Sequence, residues 1–269
     1  MIQPKISVVT VCYNAVNDIE KTILSVINQT YPNIEYLIID GGSTDGTMDI
    51  VNKYKDKIDV IVSEPDKGIY DAMNKGIDRA TGDWINFMNA GDCFFEKETV
   101  NSVFTNIAPS EVDVIYGHAI SVRGVNENMV WAYDKSTKII PPAYRHGASF
   151  VYRKVHLQYK FRLDKIKDFG YGLDYDCICR MYRDGKHFRL VDKVIMRFLE
   201  EGTSNHYFKN LWMRNVIEHD GQSNLTSILD FLFFLLCGFK RKYEKNKKYT
   251  FRMVFDMENG RYDSYVTPE

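Results

Sequence analysis

No run of about 20 apolar residues occurs in this 269-residue sequence, so no segment reads as a membrane span. The net charge of −1 gives no general pull toward nucleic acid. Cysteines are few and scattered, at 12, 93, 177, 179 and 237. Their odd count and spacing exclude a disulfide framework and suit a reducing compartment, so the expected location is the cytoplasm. Cys177-x-Cys179 has no second pair, which argues against zinc. No secretory leader is read, because the chain enters a strand just after Lys5. Residues 10–20 contain no Gly, Arg or Lys. That ranks a triphosphate-holding nucleotidyltransferase last, and no Gly-x-Gly-x-x-Gly follows the first strand to hold a dinucleotide. Low-complexity linkers and internal repeats are also missing. What is present is ordinary for a folded domain: 45% hydrophobic residues, with 18 Tyr and 16 Phe that read mostly as packing rather than as a sugar-binding surface.

The first half alternates apolar strands with amphipathic helices. Ile6–Val11, Glu35–Asp40, Val60–Ser63 and Asp83–Met88 read as strands. Between them, Ile19, Ile23, Val26 and Ile27 form one helical face, and 47–57 and 69–80 read as two further helices. Asn17 with Glu20 reads as a capping box. Such alternation predicts an α/β fold with a doubly wound, mainly parallel sheet flanked by helices. The second half is less regular. Strands are expected at 112–117, 148–153 and 188–199, and helices at 174–183 and 205–219. A hairpin and long loop are expected over 118–145. Length allows one large domain or one with an appendage.

Two strand ends stand out. Ile6–Val11 runs into Cys12-Tyr13-Asn14, and Tyr36–Ile39 runs into Asp40-Gly-Gly-Ser-Thr-Asp-Gly-Thr47. In an open α/β sheet, ligands sit at the carboxyl ends of strands. Glycines let backbone approach a ligand closely, and Asp40 can accept hydrogen bonds from ribose or base. An acid at that strand end has little evident structural purpose. Together the two ends suggest a nucleotide site. Near the C-terminus, Leu225–Phe239 is nearly all apolar and is followed by the basic run Lys240–Lys248. Two readings stay open: a helix lying peripherally on the inner face of a membrane through 225–248, or a packed C-terminal helix with a solvated basic turn.

Five runs carry a resemblance: Ser7–Asn14, Asp40–Thr47, Ser63–Gly76, Gly82–Asp92 and Leu173–Asp176. In that order and spacing they resemble a family-two inverting glycosyltransferase of the GT-A fold, of the type that builds bacterial surface polysaccharides. The match covers residues 5 to about 205. It implies a Rossmann-like mixed sheet with a C-terminal helical tail. Residues 1–220 would be the transferase domain, with 1–110 holding the donor and 111–220 the acceptor, and 221–269 the tail. It further implies a nucleotide-diphosphate sugar donor, commonly UDP-linked, and a glycan or lipid-linked acceptor hydroxyl. Thr10, Tyr13 and Asn14 would contact the nucleotide, Asp40 and Asp66 its base or ribose, and Asn74 would support the Asp66 loop. His146 would contact diphosphate or acceptor. Lys67, Tyr70 and Trp131 are further possible contacts.

The metal motif departs from the family pattern. Where the family ends its fourth strand in Asp-x-Asp, holding Mg2+ or Mn2+ on hard oxygen ligands, this chain has Asn89-Ala-Gly-Asp92. Asp92 is then the leading ligand and Asn89 the second. The family's base sits in an acidic pair opening a helix. Here Leu173-Asp174 stands at that point, so Asp174 would take the acceptor proton. Asp176 reads as structural. The altered metal motif and the single acid leave one alternative, a catalytically degenerate nucleotide-sugar-binding protein on the same fold.

Overall fold

A computed structural model describes residues 3–105, 112–134, 141–199, 207–219, 228, 249–256 and 261–268. They fall into two compact units, Met1–His206 and Tyr207–Glu269. In the first, strands β1 (Ile6–Cys12), β2 (Ile34–Asp40), β3 (Val60–Ser63) and β4 (Trp84–Phe87) pair in parallel in the order β3-β2-β1-β4. Every residue of β1 and β4 is buried, as expected for strands covered on both faces. Three helices connect them: α1 (Ile19–Ile27), α2 (Thr47–Lys53) and α3 (Ile69–Arg79). Because β2 and β3 lie on one side of β1 and β4 on the other, strand order reverses at β1. That reversal opens a crevice at the carboxyl ends of β1 and β4.

The same sheet continues into the second half. After the two-residue β5 (Cys93–Phe94) and helix α4 (Thr99–Phe104) come β6 (Val114–Arg123), β7 (Asn126–Val130) and β8 (Ser149–Tyr152). Helices α5 (Arg153–Gln158), α6 (Ile166–Phe169) and α7 (Leu173–Arg183) lead to β9 (Phe188–Leu199). β8 joins antiparallel to β4, and the order runs on as β8-β6-β9-β5, with β7 on β6. The result is a mixed, mainly parallel sheet flanked by helices. Trp84, Phe104 and Phe150 pack edge to face across its core, with centroids 5.1–5.8 Å apart.

Several elements differ from the reading above. The Asn17–Glu20 capping box does not form: α1 is capped at Asp18 without a side-chain bond, and Asp18 instead pairs with Lys21 at 2.6 Å. The second helix stops at Lys53 and finishes as a tight turn over Lys55–Lys57. The strand expected over 112–117 runs to Arg123, because β7 and β9 flank it on both edges there.

In the second unit, α8 (Tyr207–Glu218) carries an Arg214–Glu218 pair at 2.7 Å. The helical tail is corrected at its end: β10 (Tyr249–Asp256) and β11 (Arg261–Pro268) pair antiparallel as a hairpin. Both strands are rich in aromatic and β-branched residues, and the sequence between them ends in Asn259-Gly260, a dipeptide common in hairpin turns. The apolar and basic runs over 225–248 lie outside the described residues, Ile228 apart. Among the described residues no helix is long and apolar enough to cross a membrane.

Candidate active site

The two strand ends singled out in the sequence are tied to each other. Asn14 adopts a left-handed backbone (φ 47°), which Asn tolerates better than most residues. Its N–H donates to Ser43 Oγ (2.8 Å), and its Oδ1 accepts from Thr44 N–H (3.0 Å). Ala15 N–H donates to Thr47 Oγ1 (2.8 Å) and Val16 N–H to Asp45 Oδ2 (3.0 Å). Four bonds thus fix the loop after β1 against the loop after β2. Asn14 and Asp45 serve this junction.

Asp40 has a structural purpose that its sequence position does not reveal. Its carboxylate is fully buried and accepts from Gly42 N–H (3.1 Å), Ser43 N–H (2.9 Å), Ser43 Oγ and Ser63 Oγ (2.7 Å). Burial alone would raise its pKa, but the hydroxyls of Ser43 and Ser63 and the loop amides hold it below the usual carboxylate range. It organises the glycine loop from beneath. Thr10 is also placed away from the crevice. It is fully buried in β1, with Oγ1 3.0 Å from the Tyr36 hydroxyl, because two more residues of strand follow it before the turn.

Tyr13 and Asp66 flank the same glycine. The Tyr13 ring is 65% exposed beyond β1. Gly41 lies between it and Asp66: a Cβ there would stand 2.6 Å from Asp66 Oδ2 and 3.3 Å from Tyr13 Cδ2. Only glycine leaves that gap open. Asp66 accepts from Gly68 N–H (2.7 Å) in the turn that starts α3, and Lys75 Nζ holds that turn through the Pro65 carbonyl (3.0 Å). Lys67 is exposed, and its N–H donates to Asp71. An exposed aromatic face beside a carboxylate, over a glycine floor, matches the needs of a base and ribose.

The turn after β4 carries the oxygen donors. Asp92 N–H donates to the Asn89 carbonyl (2.9 Å), and Gly91 takes a positive φ of 100°. Thr22 of α1 pins the turn, accepting from Gly91 N–H (3.0 Å) and donating to the Asp92 carbonyl (2.7 Å). Asn89 Oδ1 is buried without a hydrogen-bond partner among the described residues. Burial pushes Asp92 up to about 7, against the opposing charges of Arg145 and Lys21. An orphaned amide oxygen and a desolvated carboxyl on one turn fit a hard divalent cation, which Mg2+-type sites bind with one or two protein oxygens plus substrate phosphates. No cluster of three His, Cys, Asp or Glu that could hold a metal is found among the described residues, so a bound nucleotide would have to supply the remaining ligands.

His146 follows Arg145 in a short 3-10 turn before β8. Its ring stacks on Phe87 of β4 (centroids 5.4 Å, 25°) and packs near His156 and Phe161. Burial holds its pKa below the ordinary value, with the charge of Asp174 opposing. Asn86, which the sequence reading missed, donates from Nδ2 to the Gly147 and Ser149 carbonyls (2.9 and 2.8 Å) and so fixes this turn. A polar residue inside the apolar run Trp84–Phe87 was the available signal.

Asp174 stands in the first turn of α7, where a helix N-terminus favours a carboxylate. Its Oδ1 accepts from Tyr175 N–H (2.8 Å) and lies 3.4 Å from the Tyr70 hydroxyl of α3. Asp176 is fully buried and clamped by Arg162 and Arg180 (Nε contacts of 3.0 Å each), a structural role as expected. The Asn74 side chain pairs both ways with the backbone of Phe161. Trp131 is 44% exposed and packs on His118 (4.9 Å).

A family model described as "Glycosyl transferase family 2" matches residues 7–188. A PGL/p-HBAD biosynthesis glycosyltransferase of Mycobacterium tuberculosis is 34% identical over 158 residues, 57% of this chain and 61% of that protein. The chain therefore spans under two thirds of that relative's length. Among solved structures, S. aureus TarS 1–349 in complex with UDP superposes with a TM-score of 0.62 at 18% identity, over 85% of this chain and 70% of that one. The mannosyltransferase PcManGT of Pyrobaculum calidifontis, in complex with GDP-Man and Mn2+, gives 0.59 at 18% identity, over 80% and 62%. At these identities the structural likeness speaks to the fold alone.

Proposed function

The chain belongs to glycosyl transferase family 2, and from that premise we propose that it is an inverting transferase. It moves a sugar from a nucleotide-diphosphate donor, UDP-linked, to a hydroxyl of a glycan or lipid-linked acceptor in surface polysaccharide biosynthesis. The observation that carries this reading is the meeting of Tyr70 and Asp174 across 104 residues of sequence. It brings the helix that follows the Asp66 turn against the helix that carries the one acid matching the family's base.

In this reading Tyr13 stacks near the base and Asp66 takes base or ribose hydroxyls, over the loop that Asp40 organises. Asn89 and Asp92 would hold a Mg2+ or Mn2+ ion, which would supply positive charge to stabilise the leaving diphosphate. Asp174 accepts the proton of the acceptor hydroxyl as its oxygen attacks the anomeric carbon from the face opposite the leaving group. The new C–O bond forms, the bond to the diphosphate oxygen breaks, and the nucleoside diphosphate departs with the electron pair. His146, in the turn before β8, takes a hydrogen bond to acceptor or diphosphate.

Asp174→Asn keeps the shape and removes the base. Transfer should fall roughly 100- to 10,000-fold, the usual worth of general-base catalysis, while nucleotide binding persists. Turnover close to wild type in a radiolabelled-donor assay would remove Asp174 as the base. The degenerate-binder alternative is favoured by the departure Asn89-Ala-Gly-Asp92 from the family's metal motif and by the single acid at Leu173-Asp174. It predicts nucleotide binding with no donor consumption in the wild type.

A further inference from the structure

Helix α3 is joined to the acceptor half at two points four residues apart, on one face. Asn74 Nδ2 donates to the Phe161 carbonyl (2.9 Å), and its Oδ1 accepts from Phe161 N–H (3.0 Å). One turn earlier the hydroxyl of Tyr70 donates to the Tyr171 carbonyl (2.6 Å), with Asp174 Oδ1 at 3.4 Å. The Tyr70 ring is buried against Phe161, with centroids 5.2 Å apart.

Tyr171 sits between two glycines, in the turn Gly170–Gly172 that leads into α7. Gly170 takes a positive φ of 51°. Glycines on both sides leave the conformation of this turn undetermined by its own residues. The first turn of α7 holds Asp176, clamped between Arg162 and Arg180. The Gly172 cap ahead of it makes no side-chain bond. The phenol of Tyr70 supplies a fixed point to the turn that precedes α7, at the Tyr171 carbonyl.

We propose that Tyr70 is a positioning residue for the base: its hydroxyl pins the glycine-flanked turn through the Tyr171 carbonyl and so sets where Asp174 stands relative to the donor helix. The inference rests on the reading of Asp174 as base. Tyr70 touches neither donor nor acceptor in this account. Removing its hydroxyl should lower kcat and leave donor affinity alone.

The test compares Tyr70→Phe, Tyr54→Phe, Asp174→Asn and the Tyr70→Phe/Asp174→Asn double variant in the full chain. Tyr54→Phe is the control, since it deletes a similar phenol-to-side-chain bond, to Glu20 at 2.8 Å between α2 and α1. Tyr70→Phe keeps the ring packed on Phe161, and a thermal melt of each variant reads folding directly. The expected result is a kcat for Tyr70→Phe lowered roughly 10- to 100-fold, the scale of a small misplacement of a catalytic group. Donor KM should stay within about twofold and Tyr54→Phe at the wild-type rate. In the Asp174→Asn background the same change should cost nothing more. A Tyr70→Phe kcat within about twofold of wild type would overturn the positioning role alone, as would an equal further loss in the double variant. Full turnover in Asp174→Asn would overturn the base and the positioning role together. A melt showing Tyr70→Phe unfolded would overturn it too, by making the hydroxyl a requirement of the fold.

Discussion

Glu35, near the amino end of β2, gathers more hydrogen bonds than its place in an apolar strand suggests. Lys5 Nζ (2.8 Å), Ser7 Oγ, Thr81 N–H (2.8 Å) and Thr81 Oγ1 all reach its buried carboxylate. Burial by itself would raise its pKa; the bonds from Lys5, Ser7 and Thr81 win and lower it to about 2. A carboxyl depressed in the folded state stabilises the protein above its unfolded pKa of about 4.5 and loses that contribution as pH falls toward about 2. At about 1.4 kcal/mol per pKa unit the effect is on the order of 3 kcal/mol. Glu35→Gln should thus destabilise at pH 7 in urea unfolding, and the gap to wild type should close by about pH 2. A gap independent of pH would show that the ionised form is not what matters. Asp40 is the second instance at this scale. Both acids read in sequence as functional or unremarkable, and both bind partners that are remote in the chain. Ser63 lies 23 residues from Asp40, and Thr81 lies 46 from Glu35. Partners that far away cannot be inferred from local pattern, whereas the Pro65–Gly68 turn, where Asp66 accepts from the nearby Gly68 N–H, was legible.

Among the elements, α3 does the most. Its amino end follows the Asp66 turn, its middle packs on β1, and Tyr70 and Asn74 bond the backbone of Tyr171 and Phe161. Gly76 lies where α3 crosses β1: a Cβ there would fall 2.5 Å from Val9 Cγ1, inside a fully buried strand. Gly76→Ala should therefore cost about 1–3 kcal/mol of stability through overpacking, measured by denaturant unfolding. Gain of stability would mean that α3 can shift away from β1. Gly41→Ala acts differently, because its Cβ meets Asp66 and Tyr13 rather than core. It should weaken nucleotide binding with little change in the melt of the ligand-free protein. The strands β1–β4 and helices α1–α3 were readable because each carries its own apolar pattern, continuous in the buried strands and one-faced in the helices. Short pieces such as β5 and α5 were not. Two strand residues, or six helical ones, carry too little pattern, and tertiary neighbours decide them.

Across the whole molecule, one sheet carries most of the residues that the proposed reaction uses. Tyr13 follows β1, Asn89 and Asp92 follow β4, and His146 precedes β8, which is hydrogen-bonded to β4. Asp174, in the first turn of α7, lies 3.4 Å from the Tyr70 hydroxyl of α3. The order of the five sequence runs was enough to identify this architecture, because each falls at a carboxyl strand end or a helix start. The meeting of α3 with α7 was not visible, since nothing local in Tyr70 or Asp174 names the other. The most direct test of the central claim is thermal unfolding with UDP, GDP and TDP, each with and without Mn2+, in the wild type and in Asp92→Asn. A nucleotide at ~100 times its dissociation constant adds about 2.7 kcal/mol. The account predicts a clear upward shift with UDP that grows with Mn2+ in the wild type and loses its Mn2+ dependence in Asp92→Asn. No shift with any nucleotide, with or without the metal, would contradict it.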